Sequence, residues 1–130
     1  MRLVRNSRRV TEEQFQAACD VAAAVFAGQL TTAQGVQRLD EEHGVNPTSA
    51  GDFIYDYRCL VEGRGFPRGM SAAAMHHFLA QIHMQHGDVG LSRALGALEQ
   101  HIQYFASRGK RLKSQQAVHD AFLACLASRN

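Results

Sequence analysis

The sequence predicts an all-α protein, a compact orthogonal bundle of about six helices in a single domain of 130 residues, with no sheet. Three observations favour this class. Apolar residues recur at spacings of three and four, which is typical of amphipathic helices. Only two prolines occur, and no run alternates β-branched with polar residues as a half-buried strand does. The helical segments are short and uneven, which favours an orthogonal arrangement over a long four-helix bundle.

The first three predicted helices begin and end at capping residues. The letters TEEQ form a capping box, in which Thr11 accepts from a backbone N–H and Gln14 reaches back, and Gly28 ends this helix. The second helix begins near TTAQ and ends before Gly44. The third begins at TSAGD with Ser49 as its cap, and its apolar stripe comprises Phe53, Ile54, Tyr57, Leu60 and Val61.

Three further helices follow a connection that contains three glycines. Ser71 caps the fourth helix, which stops at Gly87, and Asp88 caps the fifth, which runs to Gly109. The sixth begins near Ser114. Its expected inner stripe comprises Val118, Ala121, Phe122, Cys125 and Leu126.

Charge is distributed unevenly along the chain, although the formal net charge is only +2. Residues 1–10 hold four arginines and no acid, and we expect a basic N-terminal arm there, ahead of a helical domain over residues 11–130. Residues 11–62 hold nine acids against two arginines, whereas residues 63–130 hold eight bases against three acids. Such asymmetry is typical of a basic surface that binds nucleic acid or an acidic partner. It is also explained if the two halves of the chain pair with each other.

Basic side chains gather in two clusters near aromatic rings, and these clusters supply the candidate binding residues. The first cluster surrounds Phe66 in the stretch GRGFPRG, and the second is the stretch RGKRLK after Tyr104 and Phe105. Cations neutralise phosphates, glycines let a ligand approach the backbone, and an aromatic ring can stack on a base. The predicted nucleic-acid-binding residues are Arg58, Arg64, Phe66, Arg68, Tyr104, Arg108, Lys110, Arg111 and Lys113.

A purely structural interpretation of both clusters stays open. In the first cluster, Gly63 or Gly65 ends a helix, Phe66 packs on Val61, Pro67 fixes the turn, and the arginines pair with acids from the first half of the chain. In the second cluster, cations that follow a helix end interact favourably with its last carbonyl groups and keep the connection soluble.

Histidines and cysteines are the remaining candidates for chemistry. Of the seven histidines, His76, His83 and His86 line one edge of the fourth predicted helix. A metal needs three or four convergent ligands, and no HExxH or Cys/His pattern occurs, so we predict no metal, no cofactor and no enzymatic activity. Three cysteines lie far apart without a Cys-x-x-Cys pair, which indicates reduced thiols and a cytoplasmic protein. No apolar run approaches the roughly 20 residues of a membrane span.

About residues 46–105 resemble a known family. The motifs that carry the resemblance are NPTSA from Asn46 to Ala50, the turn of Gly63 and Phe66 with Arg68, FLAQI from Phe78 to Ile82, His86-Gly87, and ALEQHIQY from Ala97 to Tyr104. They resemble a small helical domain of bacterial proteins that often lies ahead of an HNH-type nuclease. The resemblance implies a DNA-targeting or assembly module in restriction or defence proteins. It does not imply catalysis, because the ββα frame of an HNH site is missing from the sequence.

The sequence therefore favours a non-enzymatic helical binding module that contacts nucleic acid through a basic surface, with DNA favoured over RNA. The alternative is a protein–protein interaction or homo-oligomerisation module, which includes an inhibitor of a larger enzyme. The charge asymmetry supports both, since the acidic half of one copy could meet the basic half of another. Convergence of the two basic clusters on one unpaired patch would favour nucleic acid.

Overall fold

The computed structural model describes residues 9–128, and in that range it contains five α-helices and no strand. The all-α prediction is confirmed for this part of the chain. The predicted arm over residues 1–10 lies outside the described residues, apart from its last two. The helices are α1 (Glu12–Phe26), α2 (Thr32–His43), α3 (Pro47–Glu62), α4 (Ala72–Ala106) and α5 (Lys113–Ala127).

The chain divides into two compact units, Met1–Tyr55 and Asp56–Asn130, and the boundary falls within α3. In the first unit α1 packs against α2, and in the second α4 packs against α5. A single orthogonal bundle over residues 11–130 stays a prediction. None of the helices in residues 9–128 has the length and apolar character that a membrane crossing requires.

In the first unit, both α1 and α2 begin with a capping box. The hydroxyls of Thr11 and Thr31 accept from the backbone N–H groups of Gln14 and Gln34, and each glutamine side chain accepts from the N–H of its threonine. The box at Thr11 was predicted, and the one at Thr31 repeats it. Gln14 Nε2 also donates to the carbonyl of His43 at 3.0 Å, which fixes the start of α1 to the end of α2.

The start of α3 differs from the prediction. Asn46 Oδ1 accepts from the N–H of Thr48 at 2.8 Å, so Asn46 supplies the cap that was expected from Ser49. Pro47 takes the first helical position, where its missing N–H has no helical partner to lose. The predicted cap at Ser49 is therefore wrong, because the helix has already begun there. The predicted apolar stripe of α3 is buried throughout.

In the second unit, α4 contains a break at Gly87, where φ is 71° and ψ is −168°. This backbone conformation is nearly restricted to glycine. The predicted stop at Gly87 thus marks a break inside one helix of 35 residues, and for this reason the structure has five helices where about six were predicted. The predicted apolar stripes on both sides are buried, namely Met75, Phe78, Leu79, Ile82, Leu91, Leu95, Leu98 and Ile102.

Helix α5 presents a different face to the core than predicted. Gln115 and His119 are its buried residues, whereas Ala121 and Cys125 of the predicted stripe are exposed. Gln115 Nε2 donates to the carbonyl of Met70 at 2.8 Å, so a polar side chain meets a backbone acceptor inside the unit. Hydrophobic periodicity cannot predict such a polar contact, and the predicted buried face of α5 is therefore rotated relative to the face that is buried in the structure. The rest of the predicted stripe, Val118, Phe122 and Leu126, is half-buried.

We expect Gly35→Leu to lower the free energy of unfolding by about 1–3 kcal/mol, because a buried site without space must be overpacked. A Cβ atom at Gly35 would lie 2.9 Å from a methyl of Val25, 3.0 Å from one of Val21 and 3.1 Å from Ile54 Cδ1. The matched control is Gly51→Leu in α3, where a Cβ would meet nothing within 4 Å. That variant should gain about 0.5–1 kcal/mol from helix propensity. Urea unfolding checks both, and equal effects would contradict the packing around Gly35.

Candidate nucleic-acid interface

The connection between α3 and α4, residues 63–70, is termed here the arginine loop. α3 ends at Gly63, whose φ is 77°, and the N–H of Arg64 donates back to the carbonyl of Cys59 at 2.8 Å. This geometry is a Schellman motif, which satisfies carbonyls at a helix end. A Cβ at Gly63 would also lie 2.7 Å from Arg93 Cγ, so glycine is required for space as well as for conformation. The predicted helix-ending role of Gly63 is confirmed.

Phe66 lies inside the unit rather than at its surface. Its side chain is only 3% exposed. Its ring stacks on the imidazole of His101, with centroids 4.4 Å apart and planes 12° apart. The Nδ1 of His101 donates to the carbonyl of Phe66 at 2.6 Å. The ring of Phe66 is therefore not available to stack on a base. Its stacking partner is His101, whereas the structural interpretation had placed the ring on Val61.

Three side chains that the sequence analysis did not select hold the arginine loop. Gln100 accepts from the N–H of Gly65 and donates to the carbonyl of Gly63, both at 3.2 Å. Gln115 binds the carbonyl of Met70 at the other end of the loop. His101 is the third of these side chains. Its contact could have been predicted from the sequence, because a histidine within an apolar stripe of a helix needs a buried polar partner. No such rule applies to the two glutamines.

Two of the three arginines of the first cluster, Arg64 and Arg68, have interaction partners within the protein. Both Nε and an Nη atom of Arg64 contact Glu62 Oε1, at 2.9 Å and 2.8 Å. Arg68 is exposed but also has an interaction partner within the protein. Arg58 is exposed on α3. The partner of Arg64 is a neighbouring acid, as the structural interpretation of this cluster expects.

The second cluster forms the connection between α4 and α5, residues 107–112, with Lys113 at the start of α5, and is termed here the basic turn. The guanidinium of Arg108 lies 4.5 Å from the ring centroid of Tyr104, and Lys110 Nζ lies 5.8 Å from that of Phe105. Arg111 and Lys113 are exposed. Within residues 9–128, no carboxylate forms an ion pair with any of the four cations of this turn.

A row of aromatic rings links the two clusters. The imidazole of His101 stacks on Phe66 on the side of the arginine loop and meets Phe105 edge-on at a centroid distance of 5.0 Å. Phe105 in turn meets Tyr104 at 5.4 Å. The two basic clusters, which are about 40 residues apart in the sequence, thus lie against one stretch of α4. Tyr104 is the exposed end of this row, at 44% exposure.

The basic turn also borders a groove of about 510 Å³ between the end of α4 and the start of α5. The groove has apolar lining from both helices and polar lining that includes two of the cations, Arg111 and Lys113. Hydrophobic periodicity predicted a different buried face for α5, so this cavity could not be predicted from the sequence.

The histidines weighed as metal ligands have other contacts. The ring of His76 lies 4.9 Å from that of Phe122, and His83 Nε2 lies 2.7 Å from Asp88 Oδ1 across the break in α4. His86 also has an interaction partner. In residues 9–128, no three histidine, cysteine or acidic side chains come together in a way that could hold a metal ion.

Comparison with known proteins found no matching family model, no matching curated protein and no matching solved structure. The resemblance to the helical domain that lies ahead of HNH-type nucleases therefore stays a prediction. In the structure, Phe66 is stacked on His101, and Gln100, which precedes His101, donates to the carbonyl of Gly63.

Proposed function

We propose that this protein is a non-enzymatic nucleic-acid-binding module, with DNA favoured over RNA, and that the basic turn is the centre of its binding surface. The observation that carries the proposal is the set of four cations, Arg108, Lys110, Arg111 and Lys113, for which the described residues provide no ion-pairing carboxylate. The second unit as a whole holds nine lysines and arginines against five acids. Such a surplus attracts a phosphate backbone at long range.

The basic turn combines two kinds of contact that single strands and duplex ends use. Its lysines and arginines can neutralise phosphates, which contributes affinity without reading the sequence. Tyr104 is exposed and carries the Arg108 guanidinium against its ring, so a base can stack on this pair. Arg93 is a further exposed cation on α4, and it lies against Gly63 of the arginine loop.

The test is a double charge reversal in the basic turn, Lys110→Glu with Arg111→Glu, measured by fluorescence anisotropy on DNA oligonucleotides. With four phosphates neutralised, the wild-type slope of log K against log salt should be about −3.6 on a duplex and about −2.8 on a single strand, and the double variant should lose about half of that magnitude. The matched control is Arg9→Glu with Arg38→Glu, which changes the net charge equally on two exposed arginines of the other unit. Absence of binding at low salt, or equal effects of both double variants, would contradict the proposal.

The setting of this function is part of the same proposal. The motifs that resemble a domain of bacterial restriction and defence proteins support a DNA-targeting role in such a context. We also propose a cytoplasmic location, where a reducing environment keeps Cys19, Cys59 and Cys125 as free thiols.

A protein–protein interaction or homo-oligomerisation module is the second candidate, and the outer face of α5 favours it. Leu123 is 49% exposed, and Cys125 and Ala121 are also exposed on this helix. Light scattering at several protein and salt concentrations distinguishes the two candidates. Dimerisation that Leu123→Glu abolishes, together with a lack of affinity for DNA, would support the second candidate and remove the first.

A further inference from the structure

The groove beside the basic turn is lined by both apolar and polar side chains. The apolar lining comes from the end of α4, the turn and the start of α5, namely Ile102, Ala106, Leu112 and Ala117. Its polar lining comprises Gln103, Arg111, Lys113, Gln116 and Asp120. A volume of about 510 Å³ falls within the usual range for small-ligand sites, and such sites combine apolar walls with a few polar groups that orient the ligand.

The charges around this groove are of both signs. Arg111 and Lys113 supply two cations, and Asp120 supplies the single carboxylate of the lining. The Asp120 carboxylate is held in place, because His119 Nδ1 lies 3.0 Å from its Oδ1 and Gln116 Nε2 donates to the same oxygen at 2.9 Å. These two hydrogen bonds, that of His119 first, keep the pKa of Asp120 below its usual value, so the group is ionised at neutral pH.

A ligand that matches this lining has an anionic part, a flat apolar body and hydrogen-bond donors. The anionic part must lie toward the two cations, since Asp120 repels it. The apolar body fits against the apolar side chains of the lining, and a donor group satisfies the carboxylate. A nucleotide within a strand meets all three conditions, because its phosphates flank a planar base whose edge can carry an amino group.

We propose that the groove receives one unpaired base of a nucleic-acid strand, with the adjoining phosphates at Arg111 and Lys113 and an exocyclic amino group of the base at Asp120. This inference rests on the proposed function and makes it more specific. A base inside a duplex cannot enter a groove, so the protein binds single strands more tightly than duplexes of the same length. Adenine, cytosine and guanine carry exocyclic amino groups, whereas thymine does not.

The first experiment compares fluorescein-labelled DNA strands of equal length by anisotropy at one salt concentration. We expect oligo-dA and oligo-dC to bind at least about fivefold more tightly than oligo-dT, the lower end of what one matched base contact contributes. A duplex of the same length should bind more weakly than either amino-bearing strand. The variant Asp120→Ala should reduce the difference between oligo-dC and oligo-dT to less than about twofold, because the side-chain acceptor is lost.

The second experiment fills the groove without altering any charge. Ala117→Phe places a ring in the groove lining, and Ala124→Phe makes the same substitution two helical turns later on α5, at an exposed position outside the lining. Ala117→Phe should lower the affinity for oligo-dA at least about tenfold and leave the weaker duplex binding unchanged. Ala124→Phe should change neither affinity. Thermal unfolding of both variants identifies a folding defect, and if Ala117→Phe does not fold, the exposed substitution Asp120→Ala tests the groove in its place.

Each outcome separates the groove from the basic turn. One outcome overturns the base-binding groove and leaves the proposed function in place. In that outcome the wild type binds DNA with the predicted salt dependence but shows no preference for amino-bearing single strands, and Ala117→Phe and Ala124→Phe bind with equal affinity. Wild-type protein that binds neither single strands nor duplexes at low salt overturns both.

Discussion

Replacing Phe66 by alanine is expected to lower the free energy of unfolding by about 3–5 kcal/mol, a large part of the roughly 5–15 kcal/mol that stabilises a typical domain. The ring of Phe66 is buried and stacked on His101. Its removal leaves a cavity and takes away the stacking partner of the His101 imidazole. Urea unfolding monitored by circular dichroism measures the effect, and Phe66→Leu should restore more than half of it, since most of the volume returns.

Tyr104→Ala is the control for this prediction. Tyr104 is the other aromatic residue that was predicted to contact nucleic acid, and it is 44% exposed. Its removal should lower stability by less than about 1 kcal/mol. A similarly small effect of Phe66→Ala would mean that the ring is not packed as described, and would return Phe66 to the candidates for base stacking.

Acidification is expected to destabilise the second unit through His101. Burial of the imidazole lowers its pKa below the ordinary value of 6.5, and this effect exceeds the opposing one of the hydrogen bond to the Phe66 carbonyl. The unfolded chain therefore binds a proton first as the pH falls below 6.5, and stability decreases from there down to the folded pKa. One proton taken up on unfolding gives a slope of at most about 1.4 kcal/mol per pH unit. Chemical unfolding at a series of pH values measures this slope.

The control for the pH experiment is His101→Asn, whose amide can still donate to the Phe66 carbonyl but does not titrate. This variant should be less stable at neutral pH, because the stacked ring is lost, and its stability should vary less with pH than that of the wild type. His76→Asn, which removes an exposed histidine, is measured in parallel as a control for the loss of an imidazole. Identical profiles for wild type and His101→Asn would contradict a buried, neutral His101.

Local signals in the sequence predicted most of the helices, because capping and apolar spacing depend on neighbouring residues only. Thr11, Ser71 and Gly44 illustrate this, since each forms the cap or the left-handed helix end that its residue type favours. The failures arise where a distant group decides the outcome. The rotation of α5 depends on Gln115 reaching a carbonyl 45 residues away, and no spacing rule contains that contact.

The candidate site was predicted in part for the same reason. Clusters of lysine and arginine can be read directly from the sequence, and the basic turn lies between two helices as expected. Whether each cation already has a partner is a property of the fold, and Arg64 proved to be paired with Glu62 while the cations of the basic turn have no such pair within residues 9–128. Phe66 was ambiguous from the sequence, since a ring beside glycines can cover a helix end or face a ligand. The groove required the packing of α5 against α4 and could not be inferred from either helix alone.

The break at Gly87 divides the backbone macrodipole of α4 into two. An uninterrupted helix concentrates partial positive charge at its first turn and partial negative charge at its last. The break adds a second negative end before Gly87 and a second positive end after it. Asp88 occupies the new positive end, and the imidazole of His83, which contacts it, belongs to the turn that forms the new negative end. Asp88 thus places a carboxylate of the favoured sign at the new positive end, and its contact with the His83 imidazole joins the two halves of α4 across the break.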